Sequence, residues 1–238
     1  RERSSEDEEQ ESEREEGEPA KAAVNLVYDQ RMEAHKDDEP EQLEKPERTR
    51  TIVEALETER MVARCNRVPA RAASEEELRT LHGREYVSQL RSTAGAGPAV
   101  CKAVADEYRF KPKELSLNGS TWDAALLAAG SAIELAARAV RDRAHGLGVI
   151  RPPGHHACAG LQGRLAGIAK KPGAMGGCFF NSVALAAKLA TTGKLRCADG
   201  DGAALPALER VLVVDWDIHH GNGTEDFFKD DPKVLYFS

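Results

Sequence analysis

The stretch "VLVVDWDIHHGNGTEDFF", Val211 to Phe228, sets two aspartates and two histidines almost side by side, directly after an apolar β-branched run. Strand alternation puts Asp215, Asp217 and His219 on one face for as long as the chain stays extended, with Trp216 and Ile218 pointing the other way into a packing layer. Asp and His at this spacing can converge on one ion. The N/O donor set suits Zn²⁺, with Fe²⁺ or another transition ion as the alternative. Only two groups of this face reach one ion easily, so a third ligand has to come from elsewhere. The same residues could instead serve as structural hydrogen-bond partners at a strand end. Buried charge of this density, however, is normally tolerated only beside a cation. The glycines of "HGNG" release the chain from the strand.

A second cluster is "RPPGHHA". Two prolines stiffen the approach and Gly154 permits a tight turn, which presents His155 and His156 together. Adjacent imidazoles facing the same way repel if both are charged, so one stays neutral near pH 7 unless a carboxylate supports its charge. That suits proton transfer, with one histidine as base; two unrelated loop histidines are the plain alternative. A metal centre beside a histidine base points to metal-assisted hydrolysis.

The elements that must hold these clusters alternate between strand and helix. "VNLVY", "GLGVIR", "VLVVDWD" and "KVLYF" read as strands. "ERTRTIVEALETERMVARC" has helical periodicity. "SEEELRTLHGREYVSQLRS" opens with Ser74 and Glu77 at capping-box spacing. Apolar positions at Trp122, Leu126, Ala129, Ile133, Ala137 and Val140 mark an amphipathic helix, and "FNSVALAAKLA" a further one. This alternation predicts an α/β domain with a parallel sheet covered on both faces, and ligands beyond the strands' carboxyl ends. "CAGLQGRLAGIAKKPGAMGG" and "TTGKLRCADGDGAALPAL" read as long loops.

Of the 238 residues, 41% are hydrophobic, enough for a real core. The net charge of −7 arises entirely in residues 1–20, which carry ten acidic and three basic side chains; the remainder carries 30 of each sign. That stretch reads as a disordered acidic tail, and residues 21–238 as part of a catalytic domain. The neutral remainder has no basic field for nucleic acid. Five cysteines with no CxxC pair predict a reducing intracellular compartment, and no apolar run predicts a membrane span. The chain lacks an initial Met and stops at "KVLYFS", so a fragment is expected.

"RPPGHHA", "GGCFFNSVALAA" and "VLVVDWDIHHGNGTEDFF", in that order, resemble the histone deacetylase family, in particular its class II branch. The resemblance runs from Leu26 to the last residue. It implies the three-layer arginase/deacetylase fold, a parallel sheet flanked by helices, and Zn²⁺-dependent hydrolysis of acetyl-lysine amides. Asp217 and His219 match the first two zinc ligands. His155 and His156 match the tandem catalytic histidines, with His156 as general base. Asp215 would support His155 and, with Ser238, a monovalent cation (K⁺); Asn222 would support His156. Gly176 sits where a backbone carbonyl receives the substrate amide N–H. His220 is read as structural. The resemblance also implies an acetylated protein such as a histone tail as partner, a corepressor complex, a part in chromatin and transcription regulation, and a nuclear or cytoplasmic location.

Three departures stand out. The family's third zinc ligand, an Asp, and its transition-state Tyr fall beyond this chain. Loss of such an oxyanion donor costs about 10²–10³ in rate, so this chain alone is expected to have little activity. The family's Gly-Phe-Cys is here Gly176, Gly177 and Cys178, which leaves one tunnel wall open. The 158–175 loop is longer than the family's, either lying across the pocket mouth or reflecting retained extra coding sequence. Cys158 reads as an incidental loop cysteine and Cys178 as a core residue. Two other functions fit the same residues: a non-catalytic binding module on a degenerate deacetylase fold, and an amidohydrolase acting on acetylpolyamines.

Overall fold

A computed structural model describes residues 24–36, 44–108, 115–159 and 171–238. The acidic stretch 1–20 and much of the 158–175 loop lie outside the described residues. In chain order the elements are β1 (Val24–Tyr28), α1 (Glu47–Thr58), β2 (Asn66–Arg67), α2 (Glu75–Leu78), α3 (Arg84–Arg91), α4 (Pro98–Tyr108), α5 (Thr121–Asp142), β3 (His145–Val149), α6 (Ser182–Thr191), β4 (Val211–Val214), α7 (Asn222–Phe228) and β5 (Val234–Phe237). Strands and helices alternate as the pattern predicts. Helices α4 and α7 and the short β2 carry no sequence signal strong enough to announce them.

Local chemistry explains most boundaries. Ser74 accepts the Glu77 N–H at 3.1 Å and the Glu77 carboxylate accepts the Ser74 N–H at 2.7 Å, a complete capping box on α2. The segment that follows is two helices rather than one, because Gly83 interrupts it as the N-cap of α3. Helix α5 buries Trp122, Ala125, Ala129, Ile133 and Ala137 along one stripe. Its small residues permit close approach: a Cβ on Gly130 would lie 2.2 Å from the Arg71 carbonyl. Tyr86, Tyr108, Phe179, Phe180, Leu185 and Leu189 complete the main core. Edge-on aromatic contacts order it, among them Tyr86–Phe180 at 5.8 Å between centroids.

The sheet departs from expectation. All strand pairs are parallel, but they form two sheets, β2-β1-β3 and β4-β5. The first is covered on both faces at β1, where Leu26 packs against Val53 of α1 and Val27 against Leu135 of α5, whereas β4-β5 is covered on one face only. Leu212, Val214, Leu235 and Phe237 share the open side of β4-β5, and β3 is exposed through Gly148. Trp216 and Ile218, beyond the end of β4, enter no packing layer: they are 92% and 94% exposed. No described helix is long and apolar enough to cross a membrane.

Candidate active site

The two polar clusters meet at the carboxyl ends of β3 and β4. The loop after β3 is fixed by backbone. Gly154 fits where a Cβ would stand 2.5 Å from the Phe180 carbonyl, and Gly223 where a Cβ would stand 2.3 Å from that of Ala157. Asn181, the N-cap of α6, ties the loop down. Its Oδ1 accepts the Ala184 N–H at 3.1 Å, while its amide donates to Thr224 Oγ1 at 3.0 Å and to the Ala157 carbonyl at 3.4 Å. The Thr224 N–H in turn donates to the His155 carbonyl at 3.1 Å.

This frame aims both imidazoles. His155 Nδ1–H donates to Asp215 Oδ2 at 2.9 Å, and His156 Nδ1–H donates to Asn222 Oδ1 at 2.5 Å. An amide oxygen and a carboxylate oxygen only accept, so both histidines keep Nε2 for the site. The rings lie 4.1 Å apart between centroids, and the His156 ring is 5.9 Å from that of His219. A cleft of ≈ 570 Å³ between the two strand ends is lined by His155, Asp215, Asp217 and His219.

The two histidines differ in the group that backs them. Burial lowers the proton affinity of His156, His155 and His219 lower it further, and the Asn222 hydrogen bond opposes them. His156 is therefore held as a neutral imidazole, backed by an amide. His155 is backed by a carboxylate. Burial raises the Asp215 carboxyl, but hydrogen bonds from His155, Tyr236 and the Asp217 N–H outweigh it and hold the group below its ordinary range.

Asp217 Oδ1 accepts the His219 N–H at 2.8 Å and lies 3.1 Å from His219 Nδ1. The His219 N–H contributes most to holding the Asp217 carboxyl low. One carboxylate oxygen and one imidazole nitrogen thus converge at the cleft, which fits two corners of a tetrahedral N/O site. No third His, Cys, Asp or Glu among the described residues joins them within 4.8 Å. A different trio, Glu134, Cys197 and Asp199, does lie that close together. It is an ion-pair network: Glu134 pairs with Arg71 and Arg138, and Asp199 with Arg138 and Arg141. With those carboxylates already matched by guanidinium groups, a cation gains little there.

The structure thus brings together His155, His156, Asp215, Asp217, His219 and Asn222. Ser238 joins them at the end of β5, where its Oγ accepts the Gly221 N–H at 3.4 Å. Gly176 packs under the His156 ring, at a point where a Cβ would come within 2.6 Å. Gly177 has open space around it. His220 stands apart, bonded to Glu225 at 3.1 Å. Cys178 is buried, with its thiol pushed up to about 12 by burial. Cys158 is buried too. Tyr236, Asn181, Thr224 and His82 escape the sequence reading. Only Tyr236 has a signal, since strand alternation places it on the same face as Ser238.

Parallel strands with helices between them, and an Asp/His ladder facing paired histidines at the strand ends, define the α/β architecture of the arginase/deacetylase fold. The model of the histone deacetylase domain matches residues 42–238. Polyamine deacetylase HDAC10 of Homo sapiens is 36% identical over 217 residues, covering 90% of this chain and 28% of that protein. Histone deacetylase 5 of Arabidopsis thaliana is 32% identical over 222 residues, covering 90% and 29%. The crystal structure of the HDA15 HD domain aligns with a TM-score of 0.69 and 30% identity, over 90% of this chain and 52% of that one. The chain belongs to the histone deacetylase family. It spans under a third of the length of these curated relatives.

Proposed function

We propose that this chain supplies the proton-transfer groups and two zinc ligands of a Zn²⁺-dependent deacetylase that hydrolyses acetyl-lysine amides on proteins, histone tails among them. One observation supports the reading: His155 shares one cleft with the Asp217/His219 donors, and the His156 ring lies 5.9 Å from that of His219. Asp217 and His219 would hold the zinc, which when bound acidifies water and polarises the substrate carbonyl. His156, neutral and with Nε2 free, is the general base. His155, whose Nδ1–H is anchored on a carboxylate, is the imidazole suited to carry positive charge. Asp215 and Ser238 would hold K⁺, and the Gly176 carbonyl would orient the substrate amide N–H.

The test is hydrolysis of an acetyl-lysine peptide by the full-length protein. His156→Ala should lower kcat by about 10²–10⁴, and a chelator should abolish turnover until zinc is restored. Turnover indifferent to both would refute the proposal.

A second reading, hydrolysis of an N-acetylated polyamine, is favoured by two observations. A 36%-identical relative is named a polyamine deacetylase, and the wall at Gly177 is open. Direct competition between an acetylpolyamine and an acetyl-lysine peptide, read as the ratio of kcat/KM values, decides between the two substrates.

A further inference from the structure

A third side chain enters the His155–Asp215 pair from β5. Tyr236 Oη donates to Asp215 Oδ2 at 2.8 Å, the same oxygen that accepts from His155 Nδ1 at 2.9 Å. The register explains the meeting. Val213 pairs with Tyr236 across the parallel strands, and alternation turns Asp215, two residues on, to the same side. The other carboxylate oxygen, Oδ1, accepts the Asp217 N–H at 3.2 Å. Both oxygens of Asp215 are therefore engaged, which selects one orientation of the group.

Space is the second observation. A Cβ on Gly221 would lie 2.1 Å from Tyr236 Oη, 2.4 Å from Asp215 Oδ2 and 3.1 Å from His155 Nδ1. Real Cβ atoms do not approach so closely, so glycine at 221 is the condition for the three atoms to meet. The phenol is also a dependable donor. A tyrosine hydroxyl has one proton to donate, and a carboxylate oxygen can only accept it.

We infer that Tyr236 is a positioning residue of the site: its hydroxyl holds Asp215 Oδ2 in place, and through that oxygen fixes the tautomer and tilt of His155. The carboxylate alone could rotate about χ2 and offer His155 either oxygen, or neither. Two donors on one oxygen and a third on the other remove that freedom. Because the phenol is neutral, it orients the carboxylate without cancelling the charge that His155 needs. The inference deepens the deacetylase reading and rests on it for what His155 does, but the bond itself can be read without any turnover.

The experiment follows the imidazole N–H protons of the protein, labelled with ¹⁵N, by NMR. In the wild type, His155 Nδ1–H should be a slowly exchanging proton. Tyr236→Phe keeps the ring and removes only the donor. His155 Nδ1–H should then exchange with solvent about tenfold faster, the scale of one net hydrogen bond. His156 Nδ1–H, bonded to Asn222, should keep its wild-type rate. Gly221→Ala, which leaves the tyrosine in place but occupies its space, should reproduce the His155 effect. An unchanged His155 rate in Tyr236→Phe would overturn the assignment. So would a parallel change at His156, which would mark loosening of the whole loop. Loss of hydrolysis on chelation, or its persistence, bears on the deacetylase reading and not on this exchange rate.

Discussion

Two regions of this molecule solve the problem of buried polar groups in opposite ways. Around α5 and α6, His82 is fully enclosed by Tyr86, Phe180 and Phe227. It accepts the Asn181 N–H at Nε2 and leaves Nδ1 without a partner. Burial pushes its ionisation down to about 3, so it is a neutral element of the core. At the end of β4, by contrast, the polar groups are half open to solvent and each has a partner: His155 with Asp215, His156 with Asn222, Asp217 with His219. The helical region spends packing to keep one imidazole silent. The strand-end region uses hydrogen bonds to keep several groups responsive. Asn181 joins the two, with its backbone on His82 and its side chain on the site loop.

If that contrast holds, the largest stability effect belongs to the aromatic core. Phe180→Ala removes a fully buried ring that touches His82, Tyr86 and Trp122. It should cost about 3–5 kcal/mol, read by urea denaturation; a loss below 1 kcal/mol would mean that this core is not the scaffold.

The second effect is a dependence on pH. The unfolded chain protonates His82 near pH 6.5, whereas the folded chain refuses that proton until about pH 3. The stability tied to neutral His82 is therefore complete above pH 6.5 and declines as the pH falls, by about 1.4 kcal/mol per unit. His156, also lowered, adds to the decline with the same sign. His82→Gln, which keeps an acceptor for Asn181, should lose about 2 kcal/mol less than the wild type between pH 6.5 and 5. Equal losses in the two proteins would show that His82 is not silent.

Smaller still is the helix cap. Ser74→Ala should cost about 1 kcal/mol, because one N-terminal amide of α2 loses its acceptor; thermal unfolding measures it. The smallest effect is expected on the open face of β5. Leu235 is 68% exposed, and Leu235→Ser should change stability by no more than about 0.5 kcal/mol. A cost above that of the Ser74 variant would show that this face is covered in solution.

Much of this is legible in the sequence, and the reason is local. The capping box at Ser74 and Glu77 depends on residues three apart, and the α5 stripe on a period the sequence displays. The site clusters stand at strand ends because apolar runs precede them. What stayed hidden is tertiary. Nothing near Asn181 says that it will bind Thr224, 43 positions away, or that His82 will cap its N–H. Trp216 and Ile218 read as part of a packing layer because large apolar side chains usually find one. Alternation holds only while the chain stays extended, and β4 ends at Val214. Helix α7 is not legible because "NGTEDFF" opens on Asn-Gly, which reads as a turn.

The Gly176–Gly177 pair has a consequence of its own. Met175 and Cys178 exchange backbone hydrogen bonds around it, and both glycines have positive φ, 56° and 75°. This is the mirror-image hairpin bend, which non-glycine residues enter only under strain. Refitting a bulky side chain at 177 is therefore not a matter of exchanging one residue. The bend would first have to reverse its hand, and Gly176, seated beneath the His156 ring, would turn with it. In this protein the open space at Gly177 and the seating of the His156 ring are one inherited unit.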